Sequence, residues 1–386
     1  VYRSTSTMPS YKNQHYVPES YLKGWSDDKE LPIYLIEPER EIPSEPISRL
    51  CSRSYFNSEE TFIEPVLGKL EGAHADAFNS LRTGESLRSL SVGGQRLLLS
   101  FVFTQRQRTR LMRDEIRASS EDYFREGIRE DVAEAGYDPD QYTDLEDAQF
   151  KRTVQRSHHF MMMHGILAPI GMHELACVVL ENETDINFIT SEAPVVFANP
   201  RFKEDRELAY AGMANAGLQV YCPLSPQLCL LFYDPRTYFV EANRDWHVSL
   251  TRSRDIRELN LLQVLNTDSF VLYETPGQET MMAELVDEAR DFENWQMVSQ
   301  PFPDRTKTDS EYPYEPPHQL HDLTPTPKAV SIRTGVEFHQ REQAFERQRY
   351  VVWRLLERTE TTEEALLQAV VFMLNDAGKE FGIAES

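Results

Sequence analysis

Apolar residues are dense over three stretches of the first half of the chain, about 60–83, 86–128 and 145–168, and these are predicted to be helices. The middle one contains the run Leu97-Leu98-Leu99-Ser100-Phe101-Val102-Phe103, which predicts a segment crossing the core. Ahead of them, residues 9–60 read as short extended pieces and turns, broken by Pro18, Pro32, Pro38, Pro43 and Pro46, with a strand at Leu31–Ile36. From Leu175 the pattern shortens. Leu175–Leu180, Asn187–Phe197, Leu218–Pro223, Leu228–Tyr233 and Ser269–Tyr273 are β-branched or aromatic and bounded by turn residues, as strands are. Asp255–Asn266 reads as a helix between the last two of these strands. Seven prolines between 299 and 328 mark a linker or surface-wrapping segment, and two helices are expected over 336–377. Thr361 followed by Glu364 is a capping-box start for the second helix.

Helices gathered ahead of strands predict an α+β fold. A helical N-terminal half would pack on a mainly antiparallel sheet, with a helical extension at the C-terminus. The expected division is a core over 8–298, a Pro-rich segment over 299–335 and a helical pair over 336–386.

At 386 residues, with 40% hydrophobic and 11% aromatic content, the chain can bury a substantial core. Its 63 acidic and 40 basic residues leave a net charge of −23, which argues against a general nucleic-acid or anionic-membrane coat. A local basic groove remains compatible with that balance. Cys51, Cys177, Cys222 and Cys229 are scattered without a Cys-x-x-Cys pair, so buried, reduced thiols are expected. No apolar run reaches the eighteen residues of a membrane span, and no signal-peptide pattern is present. A cytoplasmic protein is the expectation, and residues before Met8 read as an expression scar or an upstream start.

The chemistry-bearing residues fall into four groups. On a continuous helix, Arg106, Arg110, Arg113 and Arg117 lie within about 60° of one another, a positive stripe along which a phosphate backbone could run. The bland alternative is a solvated face paired with Asp114, Glu115 and Glu121. Gln105 and Arg108 share the other side with core residues, and a buried guanidinium requires an anion, either an internal carboxylate or a ligand. The stretch Phe188-Ile189-Thr190-Ser191-Glu192-Ala193-Pro194 reads as a strand end carrying a carboxylate, a position suited to a catalytic group or to a capped turn. Glu64, Glu71 and His74 recur at i, i+7 and i+10 and form a candidate divalent-metal set, weighed against the wet side of an amphipathic helix. His158, His159, His164 and His173 lack a zinc spacing, and no Walker loop, dinucleotide glycine motif, nucleophile elbow or kinase set is present.

The opening stretch Asn13-Gln14-His15-Tyr16-Val17-Pro18, followed by Tyr21-Leu22 and Gly24-Trp25, resembles the start of proteins grouped as domain of unknown function 4238. The resemblance extends through the Glu helix after Tyr55-Phe56, the Gln105-x-x-Arg108-Thr109 run, the Thr190-Ser191-Glu192 turn and Pro223-Leu224-Ser225-Pro226, all in family order. Two departures stand out. Arg110 replaces a proline of the family pattern, and Glu192-Ala193 replaces Asp-Asn.

Two function classes follow. One is a hydrolase acting on nucleic acid, of nuclease or base-excision type, in defence against foreign DNA (an antiviral role). In it His15 and Glu192 would act as general acid and base, while Gln105, Arg108, Tyr16 and the arginine stripe bind substrate. The other is a non-catalytic sensor that binds a nucleotide or other anion and reports to a partner protein through the C-terminal helices. His15 itself reads two ways, as an acid–base group or as a satisfied histidine that locks the N-terminal arm to the core.

Overall fold

In a computed structural model, residues 12–26, 29–57, 63–202, 213, 215–292, 327–337 and 342–377 are described. The stretch before Met8 and residues 299–326 of the Pro-rich segment lie outside these residues. The chain begins with β1 (Asn13–His15), a single turn α1 (Glu19–Leu22), the hairpin β2 (Glu30–Leu35) and β3 (Arg40–Pro46), and β4 (Ser52–Ser54). Helices α2 (Ile63–Arg82), α3 (Val92–Arg108), α4 (Arg110–Glu134), α5 (Thr143–Ile166) and α6 (Ala168–Gly171) follow. Next come β5 (Ala176–Asn182), β6 (Thr190–Ser191), β7 (Val196–Ala198), β8 (Gln219–Ser225), β9 (Leu228–Tyr233), β10 (Tyr238–Val240) and β11 (His247–Leu250). The remainder is α7 (Ser253–Leu265), β12 (Phe270–Leu272), α8 (Glu279–Arg290), β13 (Val330–Ile332), α9 (Glu342–Glu357) and α10 (Thr362–Ala377).

The architecture is α+β, as the order of elements predicts. One sheet has strand order β11-β5-β9-β8-β7 and is antiparallel except for the β11–β5 pair. A second has order β3-β2-β12-β6 and is antiparallel throughout. That second sheet joins the N-terminal hairpin to strands far along the chain, so the opening arm is part of the core. β3 contains Pro43 and Pro46 and lies at the sheet edge, where missing backbone donors cost nothing to the ladder.

Two expectations are corrected. The 86–128 stretch is not one helix: Thr109 takes extended backbone (ψ 157°), ends α3 and begins α4, its hydroxyl accepting from the Met112 amide at 3.2 Å. A side-chain acceptor there satisfies a helix-start donor that the break leaves without a partner. The family's proline would occupy the first position of α4, where a fixed φ and a missing N–H are both tolerated. Arg110 fills that position here, and the Thr109 cap maintains the break. Asn187–Phe197 likewise divides into β6, a turn and β7.

α3 runs through the middle of the helical layer, packed on α2 and α5, with a close backbone approach at Gly165. A Cβ on Gly165 would stand 2.7 Å from both the Phe103 oxygen and the Thr104 Cα. The C-terminal pair shares this core: Val352, Leu366, Val370 and Met373 pack in one cluster with Ile63, Leu67, Leu70, Met162 and Ile166. Thr361 caps the second helix as expected, its hydroxyl accepting from the Glu364 amide at 3.2 Å, while the Glu364 side chain accepts from the Glu360 amide at 3.0 Å and not from that of Thr361. Among the described residues, no helix is long and apolar enough to cross a membrane.

Candidate functional site

The motifs meet on the opening arm. At the C-terminal end of α3, Gln105 donates to the Tyr16 carbonyl at 2.8 Å, and Arg108, one turn on, donates to the His15 carbonyl at 2.5 Å. Two side chains on one helix face thereby grip consecutive carbonyls of the arm. The other guanidinium nitrogen of Arg108 meets Glu71 of α2 at 2.5 Å. Arg108 and Gln105 are 3% and 2% exposed, so neither presents a free donor surface to an incoming ligand. The anion that a buried arginine demands is an internal carboxylate.

Glu192 lies in the turn after β6 and is 1% exposed. Arg110 approaches it with a two-point fork, Nε to Oε2 at 3.1 Å and a terminal nitrogen to Oε1 at 2.8 Å. The Tyr16 hydroxyl donates to Oε2 at 3.1 Å and the Thr267 hydroxyl to Oε1 at 3.2 Å. Burial works against the charged form of Arg110, but Glu192 and Asp268 outweigh it and hold its pKa above the ordinary value. Burial first, then the charges of Cys51 and Glu192, push the Tyr16 phenol well up. The turn is fixed from α7: Asn266 donates to the carbonyls of Ala193 and Val195, and Gln263 to that of Pro194. Glu192 is therefore the saturated centre of a clasp, with no lone pair turned toward solvent.

The remaining opening-motif residues are structural in the same sense. Tyr21 is fully buried and its hydroxyl meets the Pro223 carbonyl at 2.5 Å and the Thr190 hydroxyl at 2.9 Å. Arg82 donates to the carbonyls of Ser20, Tyr21 and Leu224. A Cβ on Gly24 would stand 2.2 Å from Arg82 and 2.4 Å from the Leu224 oxygen, which accounts for glycine beside Trp25.

The arginine stripe is dispersed by the break at Thr109. Arg106 remains on α3 over the Phe197 ring, 5.3 Å from its centroid. Arg110 turns inward to Glu192. Arg113 donates to the Phe56 carbonyl and lies over that ring at 5.1 Å. Arg117 alone of the four projects outward, its side chain 62% exposed and 3.9 Å from Glu121. Arg113 is held below its ordinary pKa by burial and, after the opposing charge of Asp114, by Arg53 of β4 and by Arg117, so these three cations share a neighbourhood.

One polar group at this junction is left without a partner. The His15 side chain is 17% exposed, but its Nε2 is buried and has no hydrogen-bond partner, and the Glu19 carboxylate lies 3.6 Å from it. Burial lowers the His15 pKa, Glu19 opposes this, and Arg108 adds to it, which favours the neutral imidazole. Glu71, 26% exposed, acts on the same ring. Glu64 accepts from the Asn57 amide at 2.8 Å; burial raises its pKa, and Glu71 adds to the rise against the lowering effect of Arg108. His15 and Glu64 therefore each feel the charges of Glu71 and Arg108.

His74 belongs elsewhere. It lies 80° around α2 from Glu64, on the stripe of Leu70 and Phe78, where it meets the Ser100 hydroxyl at 3.2 Å, and burial lowers its pKa to about 3. Glu71 acts on the His15 ring, whereas the charge acting on His74 is that of Arg108. Among the described residues, no three His, Cys, Asp or Glu side chains are placed to hold a metal ion. His158 and His159 serve backbone carbonyls, those of Gln107 and Asn57, and His164 stacks on Phe345.

Sequence reasoning missed Glu19, Asn57, Arg53, Thr267 and Asp268. Only Glu19 carried a local signal, four residues beyond His15 at the start of α1; the others arrive through long-range packing. No curated protein and no solved structure matches the chain. Over residues 13–276, which span every element of this junction, the chain matches the family described as Protein of unknown function (DUF4238), and it belongs to that family.

Proposed function

We propose that the protein is a hydrolase acting on nucleic acid, with its working groups at His15, Glu64 and Glu71 and not at Glu192. The observation that carries this reading is the buried, unpartnered Nε2 of a neutral-favouring His15 that feels Glu71 of α2, which in turn acts on Glu64, whose pKa is raised. A base whose pKa is lowered and an acid whose pKa is raised can both be in their working protonation states at one pH. His15 would take a proton from water, and Glu64 would return one to the leaving oxygen. Arg108 is a positioning residue that sets Glu71 and the His15 backbone. Arg53, Arg113 and Arg117 would draw a phosphate toward the junction in a chain whose overall charge repels it.

The test is cleavage of end-labelled single- and double-stranded DNA and RNA, with and without magnesium or manganese, by wild type, His15→Ala and Glu64→Gln. Loss of turnover by at least a hundredfold in both variants at unchanged melting temperature supports the reading. Because His15 titrates downward from 6.5 and Glu64 upward from 4.5, the rate should peak on the acid side of neutrality. Its alkaline limb should disappear in Glu64→Gln. No cleavage of any substrate by wild type would defeat the proposal. A second reading, a non-catalytic anion-binding module, draws on the burial of Arg108 and Glu192 against internal partners, and it predicts binding at Arg53 and Arg117 without turnover.

A further inference from the structure

Between the last turns of α5 and the length of α9 lies an open pocket of ≈ 520 Å³, a volume in the range of sites for small organic ligands. Phe160 and Met161 of α5 face Phe345, Val352 and Trp353 of α9 across it. Phe160 and Trp353 are 39% and 51% exposed, so two large rings stay in water at its edges. The two helices are pinned to each other there. Gln348, 1% exposed, donates to the His164 carbonyl at 2.5 Å. The His164 ring stacks on Phe345 with centroids 6.0 Å apart and planes 9° from parallel, and Phe160 meets it edge-on at 4.7 Å. The aromatic wall is thus set before any ligand arrives.

Two polar side chains interrupt this apolar lining, and neither is used up by the fold. Arg349 lies with its guanidinium over the Phe345 ring, 5.0 Å from the centroid, and forms no ion pair among the described residues. No aspartate or glutamate is among the described residues that line the pocket, in a chain carrying 63 acidic residues and a net charge of −23. His164 is 6% exposed and its ring makes no hydrogen bond among the described residues. Its Nδ1 is sealed from solvent, which leaves Nε2 as the nitrogen for a ligand to reach. Burial first, then the charge of Arg349, lowers the His164 pKa to about 4, so the ring is neutral near pH 7 and brings no second positive charge.

We infer that this pocket is a second binding site, taking a small hydrophobic carboxylate: an aromatic ring system that bears one acid group. The ring system packs among Phe160, Phe345 and Trp353, and the flexible Met161 side chain adapts to its outline. The carboxylate pairs with Arg349, whose planar fork matches its two oxygens, and accepts from Nε2 of His164. A neutral molecule of the same shape gains the apolar contacts and leaves the cation unanswered. None of the residues that line the pocket belongs to the His15 junction, so the site does not depend on the hydrolase reading.

2-Naphthoate is titrated into the full chain by calorimetry at neutral pH, beside 2-naphthalenemethanol, which has the rings without the charge, and acetate, which has the charge without the rings. One saturable naphthoate site per chain is expected, at least tenfold tighter than that for the alcohol, with no saturable binding of acetate. Arg349→Gln should weaken naphthoate at least tenfold and leave the alcohol within about twofold, which abolishes the preference. His164→Phe keeps the stacked ring, loses the nitrogen and should weaken naphthoate about threefold. Met161→Trp fills the pocket and should abolish binding, while His15→Ala should bind as wild type does. Melting temperatures identify any variant that has lost its fold, and Arg349, being exposed, can be replaced without disturbing the core. Absence of saturable naphthoate binding overturns the inference, as does equal affinity for the alcohol, or binding that persists in a folded Met161→Trp. A dimer in sedimentation that Met161→Trp dissociates also overturns it, by assigning the face to a second copy of the chain.

Discussion

Gln105 and Arg108 hold the carbonyls of Tyr16 and His15, and Arg110 with Tyr16 holds Glu192, so these six residues hold one another. A buried ion pair of this kind is most costly when half of it is removed. Arg110→Ala strands Glu192 with only two hydroxyl donors and is expected to destabilise by about 3–5 kcal/mol in chemical denaturation. Adding Glu192→Gln should recover part of that loss, and a double-mutant cycle with no coupling would contradict the clasp. His15→Ala is different in kind. Arg108 grips the main-chain carbonyl of His15, which alanine keeps, so stability should change by less than about 1 kcal/mol while the imidazole is removed.

At the scale of elements, the helices and central strands are legible because their apolar spacing is long and regular. α2, α5, β5, β8, β9 and α7 fall close to their expected bounds. The break between α3 and α4 was not legible, because both sides of Thr109 are rich in helix-forming residues and one hydroxyl contact decides the geometry. That break removes the arginine stripe, whose single-face geometry depended on an unbroken helix. The burial of Arg108 was legible from its place opposite the arginines; its partner Glu71, 37 residues away, was not. β3, β10, β11, β13 and α8 escaped notice, three of the strands being three or four residues long and β3 carrying two prolines. Gly165 provides a test at this scale. Gly165→Ala pushes a methyl into the backbone of α3 and should cost about 1–3 kcal/mol, measured by thermal or urea unfolding, despite alanine's better helix propensity. A neutral or stabilising result would mean that α3 and α5 are less tightly apposed.

For the whole molecule, pH dependence follows from histidines sealed in the core. Burial lowers His74 to about 3 and His164 to about 4, and drives His158 well below 6.5. Folded values below the unfolded one mean that the unfolded chain binds protons first as pH falls. The stability carried by these neutral rings is complete above about 6.5 and declines as pH drops toward 4. Melting temperature should therefore fall steadily from pH 7 to pH 5, well before most carboxylates titrate, and His74→Gln should flatten that slope. The apolar residues of the C-terminal helices complete a cluster with α2 and α5. The division of labour at the junction is tested most directly by single-turnover cleavage of the preferred nucleic-acid substrate, below the melting temperatures of both variants, in His15→Ala and Glu192→Gln. Turnover should vanish with the imidazole and persist, within about tenfold, when the sealed carboxylate becomes an amide. Cleavage that survives in His15→Ala, or that is abolished in a folded Glu192→Gln, would contradict this assignment.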